Sequence, residues 1–559
     1  MNKQKKAVIA TPILLLAWCV FTFFITHVLY VVATKQIKSV VNWKLVPDAV
    51  STARALGNGY PRDLRTAFLG GAGLGIASVF GLALLFFRDQ KNLYGKARFA
   101  SFAEIKNAGF FDQQPNSMIV GKLNGKYLFY SGQQFAILAA PTRSGKGVGI
   151  VIPNLLTYTQ SIVVLDIKQE NFNLTSGFRA AHGQKVFLFN PFAEDGRTHR
   201  WNPLSYITSE PRGRVSDVMS IALMLFPVSP DGKDQFWKSQ AQNVFLALVL
   251  YLIEQREYQR SLGCPQDLLS PVSIGAVLRV STSEGTPLKD HLQSLAGMSF
   301  LGNESRTAFS GLLSNNAEVF ASIMGTFKEP MLPWLNPIVD AATSDNDFLL
   351  TDVRKEKMSI YIGILPNKIA DAKLIVNLFF SQLINENTRQ LPQENPELKY
   401  QCVLLLDEFT SIGRVDILAK ALSYIAGYNL RLFPIIQSIA QLDSTYGKDD
   451  SRTMLTNHAM QILYTPRAQS DANDYSEMLG YESVEKVSKS IGKERSRSLS
   501  DEKRALMLPQ ELKAMSVDEE IIMYESISSP IRCEKIRYYK DKALTARLLK
   551  PAEVSKLSY

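Results

Sequence analysis

A chain of 559 residues with 46% hydrophobic and 20% charged residues is long enough for two or three domains, each with its own core, and too apolar to be disordered. Its four cysteines (Cys19, Cys264, Cys402, Cys533) lie far apart with no C-x-x-C pair, which together with five scattered histidines argues against a disulfide framework or a structural zinc site. The net charge of +10 is a mild basic excess, compatible with nucleic acid or anionic lipid as partners but selecting neither.

The chain opens on two long uncharged runs. Ala7 to Thr34 contains no Asp, Glu, Lys or Arg over 28 residues, and Ala67 to Phe87 is a second such run. Each reaches the roughly 20 residues needed to cross a bilayer as a helix. Both exceed the apolar core of a cleaved signal peptide, usually about 7–15 residues. The reading is a membrane anchor over 1–95, with spans at about 8–32 and 67–87 and a periplasmic loop at about 34–66. Gly71 and Gly75 form a G-x-x-x-G pair in the second run, a spacing that lets helix backbones approach closely, either on the first span or across subunits. Gly73, Ala77 and Gly81 line a neighbouring stripe. Orientation is contested by charge: the intervening loop carries six basic residues against three lysines before the first span. Two spans nevertheless put both ends of the chain on one side, and if the large C-terminal region hydrolyses ATP that side is the cytoplasm.

Beyond the anchor, the apolar run FAILAA (Phe135–Ala140) leads into APTRSGKGVG, and a helix-forming stretch follows. That is the strand–loop–helix setting of a phosphate-binding loop, G-x-x-x-x-G-K-[ST], with two departures: Ala140 stands at the first glycine and Gly147 at the hydroxyl position. Backbone N–H groups around Ser144–Gly147 would wrap phosphates, with Lys146 supplying the point charge. The missing hydroxyl normally gives one oxygen to Mg2+, so water or another side chain must complete that shell. SIVVLDIK (Ser161–Lys168) reads as a second buried parallel strand.

The other half of such a site is an acidic residue at the end of a buried strand, and CVLLLDEF (Cys402–Phe409) supplies it. There Asp407 would hold Mg2+ and Glu408 would orient or deprotonate the attacking water. LRLFPIIQSIAQL (Leu430–Leu442) reads as another buried strand ending at Gln437 and Ser438, and Gln437 can sense a γ-phosphate or position water. Lys146 and Asp407 are 261 positions apart, more than a compact sheet needs, and the intervening pattern is helical. The expected division is nucleotide-binding residues 96–210, an all-α insertion 211–326, the rest of the nucleotide-binding domain at 327–540 and a tail at 541–559. Lys486–Arg504, with seven basic and three acidic residues, reads as a solvated loop or a DNA- or partner-binding surface.

These segments resemble the TraG/TraD-type coupling proteins of type IV secretion and bacterial conjugation. The resemblance rests on APTRSGKGVG, VVLDIKQEN, FWKSQAQNVFLALVLYL, LLLDEFTSIGR, IIQSIAQLDSTYG and LPQEL, in that order over about Gly95–Lys540. It implies an α/β, membrane-anchored RecA-like P-loop NTPase with an inserted all-α domain and two N-terminal transmembrane helices. It also implies a homo-hexamer on the bacterial inner membrane that uses ATP and Mg2+. Such a ring receives a relaxase–DNA complex, single-stranded DNA or protein effectors, and delivers them to the inner-membrane channel components and companion ATPases of the secretion system.

Carried over residue by residue, Thr142, Arg143, Ser144, Gly145, Lys146, Gly147 and Val148 form the loop. Asp407 holds the metal, Glu408 activates water and Gln437 senses the γ-phosphate. Some relatives place an arginine finger in a Gly-Arg-Lys before the sensor glutamine. This chain has GYNLR there, which makes Arg431 the candidate and leaves Arg414 and Arg467 open. An FtsK-like DNA translocase and a non-hydrolysing membrane receptor are the alternatives.

Overall fold

The structure is a computed structural model that describes residues 3–36, 42–55, 60–86, 93–229, 232–491 and 495–558. It divides into two compact units, Met1–Leu93 and Tyr94–Tyr559.

In the first unit the two uncharged runs lie in long helices, Lys3–Ala33 and Arg62–Phe86, with a short helix Leu45–Ala55 between them. Leu15–Ala33 and Arg62–Gly81 are each long and apolar enough to cross a membrane. The G-x-x-x-G pair packs on the first helix. A methyl group on Gly71 would collide with the Thr26 hydroxyl, and one on Gly75 would lie 2.5 Å from the Thr22 hydroxyl. Glycine is what lets the second backbone settle on these two threonines. The neighbouring stripe does no such work within the unit, since methyl groups on Gly73 and Gly81 would meet nothing within 4 Å.

The second unit is built on one eleven-stranded mixed sheet. Its strands, with two that stand apart, are β1 (Met118–Leu123), β2 (Lys126–Tyr130), β3 (Ala136–Ala139), β4 (Ser161–Ile167), β5 (Lys185–Phe189), β6 (Met358–Ile364), β7 (Cys402–Leu406), β8 (Leu430–Ile436), β9 (Met460–Leu463), β10 (Tyr481–Ile491), β11 (Arg495–Ala505), β12 (Glu519–Tyr524) and β13 (Ile527–Glu534). The order is β2-β1-β13-β12-β9-β3-β8-β7-β4-β6-β5. From β9 to β5 every pairing is parallel, and from β12 outward every pairing is antiparallel. β3, β6, β7 and β8 are buried at every position, and β3 and β7 are accordingly uninterrupted apolar runs, while β6 and β8 carry the buried polar residues Ser359 and Arg431. Because the parallel strands point the same way, the loops after β3, β4, β7 and β8 meet along one edge.

No strand lies between β5 and β6 among the described residues. Helices Pro211–Leu225, Gln235–Ser261, Ile274–Val280, Leu288–Ala296, Asn303–Leu313 and Ala317–Lys328 fill that stretch, and Pro337–Ala342 carries the helical pattern past Thr326. The apolar run of Gln235–Ser261 is buried in protein, with Val244, Phe245, Ala247, Leu248 and Val249 at 0% exposure.

The charged stretch 486–504, a solvated loop or a binding surface by its sequence, is over its described residues not a loop but part of a two-stranded antiparallel ribbon, β10–β11, paired in continuous register from Tyr481↔Ala505 to Ile491↔Arg495. Two extended runs flanking Gly492 carry a hairpin signal that the charge count hides. The C-terminal tail is not free: Ala552 N–H donates to Ser176 Oγ (3.0 Å), the Arg547 guanidinium donates to the Leu156 carbonyl (2.6 Å), and Asp541 accepts from Lys122 (2.6 Å) and Tyr127.

Candidate nucleotide-binding site

The turn after β3 places the phosphate loop at the edge where the parallel strands end. Gly145 has φ +88°, a conformation that favours glycine. The helix that follows opens with a wide π turn, Gly147–Val151, before tightening into Ile152–Leu155. Such turns recur at functional sites. Gly147 leaves room: a Cβ there would meet nothing within 4 Å.

Lys146 extends from this loop to the end of β7, where its Nζ lies 3.0 Å from Asp407 Oδ1 and 2.7 Å from Glu408 Oε1. From the end of β8, Gln437 Nε2 donates to Glu408 Oε2 at 2.7 Å. Four residues expected to act together, drawn from three separate strands, therefore form one hydrogen-bonded and ion-paired cluster. Of the rest of the loop, Thr142 and Arg143 are exposed, while Ser144, Gly145, Gly147 and Val148 are half-buried.

The adjacent carboxylates are pushed apart. Burial raises Asp407 above its ordinary value, against the pull of the Lys146 ammonium. Burial also acts upward on Glu408, but its bonds from Lys146 and Gln437 outweigh it, and Glu408 sits below the usual range. Lys168 adds a further attractive charge.

A third acid, not among the residues that the sequence motifs select, lies one strand further on. Asp166 follows Leu165, which pairs with Leu406 across β4 and β7. It is 0% exposed and accepts the backbone N–H groups of Asn171 (3.2 Å) and Phe172 (2.7 Å). Burial pushes it up to about 7, with Asp407 contributing in the same direction. The signal was present, since VVLD is the same apolar run into a carboxylate as VLLLD.

Backbone strain gathers at the same edge. Among the described residues, seven non-glycine positions have positive φ, and four of them (Arg143, Lys168, Gln169, Glu408) lie on the loops after β3, β4 and β7. Residues held in this region mark sites over-determined by their surroundings.

Arg431 does not belong to the cluster. It is the second residue of β8, six positions before Gln437, which puts it about 20 Å away at the opposite end of the strand. It is 0% exposed, stacks 4.3 Å from the Tyr130 ring centroid and donates to the carbonyls of Gln134 (2.7 Å), Asn116 (3.3 Å) and Tyr130 (3.3 Å). A buried guanidinium committed to three carbonyls cannot serve a neighbouring subunit, so the finger assignment is corrected to a structural role. Arg414 is paired with Asp416 and Asp450, and Arg467 is exposed.

The arrangement can bind a polyphosphate against the loop and hold a hard cation. Among the described residues there is no cluster of three or more His, Cys, Asp or Glu that could hold a metal by itself. Two adjacent carboxylates are the donor set of Mg2+, which takes one or two protein oxygens and completes its shell with water and phosphate. Ser144 Oγ is buried without a hydrogen-bond partner among the described residues, a further oxygen within the loop.

Residues 97–558 match the family described as Type IV secretory system Conjugative DNA transfer. The chain belongs to this family. Among relatives of this transfer family, Protein VirD4 of Rhizobium radiobacter is 31% identical over 472 residues, covering 82% of this chain and 65% of VirD4. The chain thus spans just under two thirds of that relative. Plasmid coupling protein TrwB, solved with the non-hydrolysable ATP analogue ADPNP, superposes with TM-score 0.54 at 16% identity, covering 80% of this chain and 95% of TrwB. TrwB in complex with ADP and Mg2+ gives TM-score 0.53 at 15% identity, covering 83% and 96%. The fold is therefore the RecA-like α/β fold of these coupling proteins, as the motifs implied.

Proposed function

We propose that the chain is a coupling ATPase of a type IV secretion or conjugation system. Two N-terminal spans anchor it in the bacterial inner membrane, with the N-terminus and the ATPase unit cytoplasmic. It binds ATP and Mg2+, assembles as a homo-hexamer and couples hydrolysis to the delivery of a relaxase–DNA complex or protein substrates into the secretion channel. The observation that carries this reading is the joining of Lys146, Asp407, Glu408 and Gln437 across three strands at the end of a phosphate loop.

In this reading the loop Thr142–Val148 binds the phosphates and Lys146 moves from the carboxylates onto them. Asp407 would hold Mg2+, which would supply positive charge to offset that of the phosphates. Glu408, ionised at neutral pH, receives a proton from the attacking water or orients it, and Gln437 reports on the γ-phosphate by its bond to Glu408. The nucleotide-binding domain comprises 96–210 and 327–540, and the all-α insertion 211–326 is the substrate-recognition element. Support comes from membership of the transfer family and from the nucleotide-bound TrwB structures, which share the fold. Lys146→Ala is expected to abolish both ATP hydrolysis and substrate transfer while the protein stays in the membrane fraction. Transfer at the wild-type rate by this variant would refute the ATP-driven model.

A further inference from the structure

The last strand of the sheet brings two cations to the phosphate loop from nearly 400 residues away. Lys535 Nζ lies 3.5 Å from the Ser144 carbonyl oxygen and 3.7 Å from the centroid of the Tyr464 ring. Arg537 reaches the next residue of the loop, where a Cβ on Gly145 would lie 2.7 Å from its Nη1. The φ of +88° is what requires glycine at 145, and the guanidinium tip occupies the space beside it.

The two cations are unequally neutralised. Arg537 pairs with Asp518 at 2.8 Å, but that carboxylate is 63% exposed and easily surrendered to water. Lys535 is 6% exposed and has no ion-paired carboxylate among the described residues. A buried acid on the adjacent strand β12, Glu520, is 0% exposed and hydrogen-bonded from Cys533 (3.7 Å). Burial pushes Glu520 up to about 8, so it is largely protonated at neutral pH. Burial pushes Lys535 down to about 8, which leaves it largely charged at neutral pH. Like charges gathered beside a loop of phosphate-binding N–H groups are costly unless an anion joins them.

Sheet order decides which part of a nucleotide they face. Asp407, Glu408 and Gln437 come from β7 and β8, on one flank of β3, whereas Lys535 and Arg537 follow β13, on the other flank beyond β9 and β12. The carboxylate flank is the γ-phosphate end. We propose that Lys535 and Arg537 form a second anion-binding arm that holds the α-phosphate end of the bound nucleoside triphosphate, Arg537 exchanging Asp518 for the phosphate. This rests on the nucleotide-binding reading above. An interaction at that end is made equally in ground and transition states, so it sets affinity rather than turnover.

The test uses the full-length protein in detergent with N-methylanthraniloyl-ADP and -ATP as fluorescent probes. Arg537→Gln and Lys535→Gln are expected to weaken both probes by the same factor, about tenfold each. Arg537→Lys should recover part of the loss at matched thermal stability. In steady state KM for ATP rises while kcat stays within about twofold. Wild-type affinity in both Gln variants would overturn the proposal, as would loss of ATP affinity with ADP affinity intact, which would move the cations to the γ end. Failure of the wild-type protein to bind either probe would instead defeat the nucleotide reading itself.

Discussion

Gly147 is where the phosphate loop departs most from its pattern, and the structure turns that departure into a measurable quantity. Gly147→Ser adds a hydroxymethyl group where a Cβ would meet nothing within 4 Å, at the start of a helical turn whose φ is not positive. No steric cost offsets the gain from replacing glycine in a helix, about 0.5 kcal/mol. The new hydroxyl stands at the position that normally gives Mg2+ one oxygen, so it replaces one metal-bound water. Exchanging a single neutral ligand is a modest change, and the half-saturating Mg2+ concentration for nucleotide binding is expected to fall about three- to tenfold, roughly 1 kcal/mol. Thermal stability without nucleotide should be equal to or slightly above wild type. The assay is a Mg2+ titration of fluorescent ATP binding at fixed nucleotide, with melting followed in parallel. An unchanged Mg2+ midpoint in a well-folded variant would show that position 147 does not face the metal, and the mapping of this loop onto a P-loop would fail.

Two other residues give predictions of opposite kind. Asp166 has a folded value of about 7 against an ordinary 3.8, so between pH 4 and pH 7 the folded state holds a proton the unfolded state has lost. Stability contributed by this group therefore falls as pH rises through that window, by roughly 4 kcal/mol in total. Asp166→Asn should flatten the decline in melting temperature between pH 5 and pH 8, and a slope identical to wild type would show that Asp166 is ionised in the fold. Arg431→Ala strands three carbonyls and a tyrosine face, and is expected to cost about 3 kcal/mol or more. It should lower the melting temperature sharply, whereas a variant that melts like wild type yet hydrolyses no ATP would restore the finger role.

These two residues also show where sequence reading succeeds and where it stops. Buried parallel strands write themselves as apolar runs, so FAILAA and CVLLLDEF were legible, and so was the carboxylate pair that ends the latter. Asp166 obeys the same pattern and lacked only a reason to be paired with β7, which lies in the strand order and not in the chain. Arg431 stands apart from Gln437 because six residues is a short step in sequence but a whole strand length in space. Lys535 and Arg537 were invisible for the converse reason: their approach to Ser144 and Gly145 is made by the antiparallel crossing of β12 and β13, a long-range event with no local signature. The β10–β11 ribbon was hidden by its charge, which resembles that of a solvated loop even when the backbone is fully paired.

The central claim is that Glu408 completes a hydrolytic site rather than a docking surface, and one substitution isolates it. Glu408→Gln keeps the side-chain shape and the capacity to bond Gln437, and removes only the charge that takes the proton or orients the water. Measured on the full-length protein, ATP affinity should stay within a few-fold of wild type while single-turnover hydrolysis falls by about 100-fold or more. Hydrolysis at the wild-type rate with bound ATP would contradict the account.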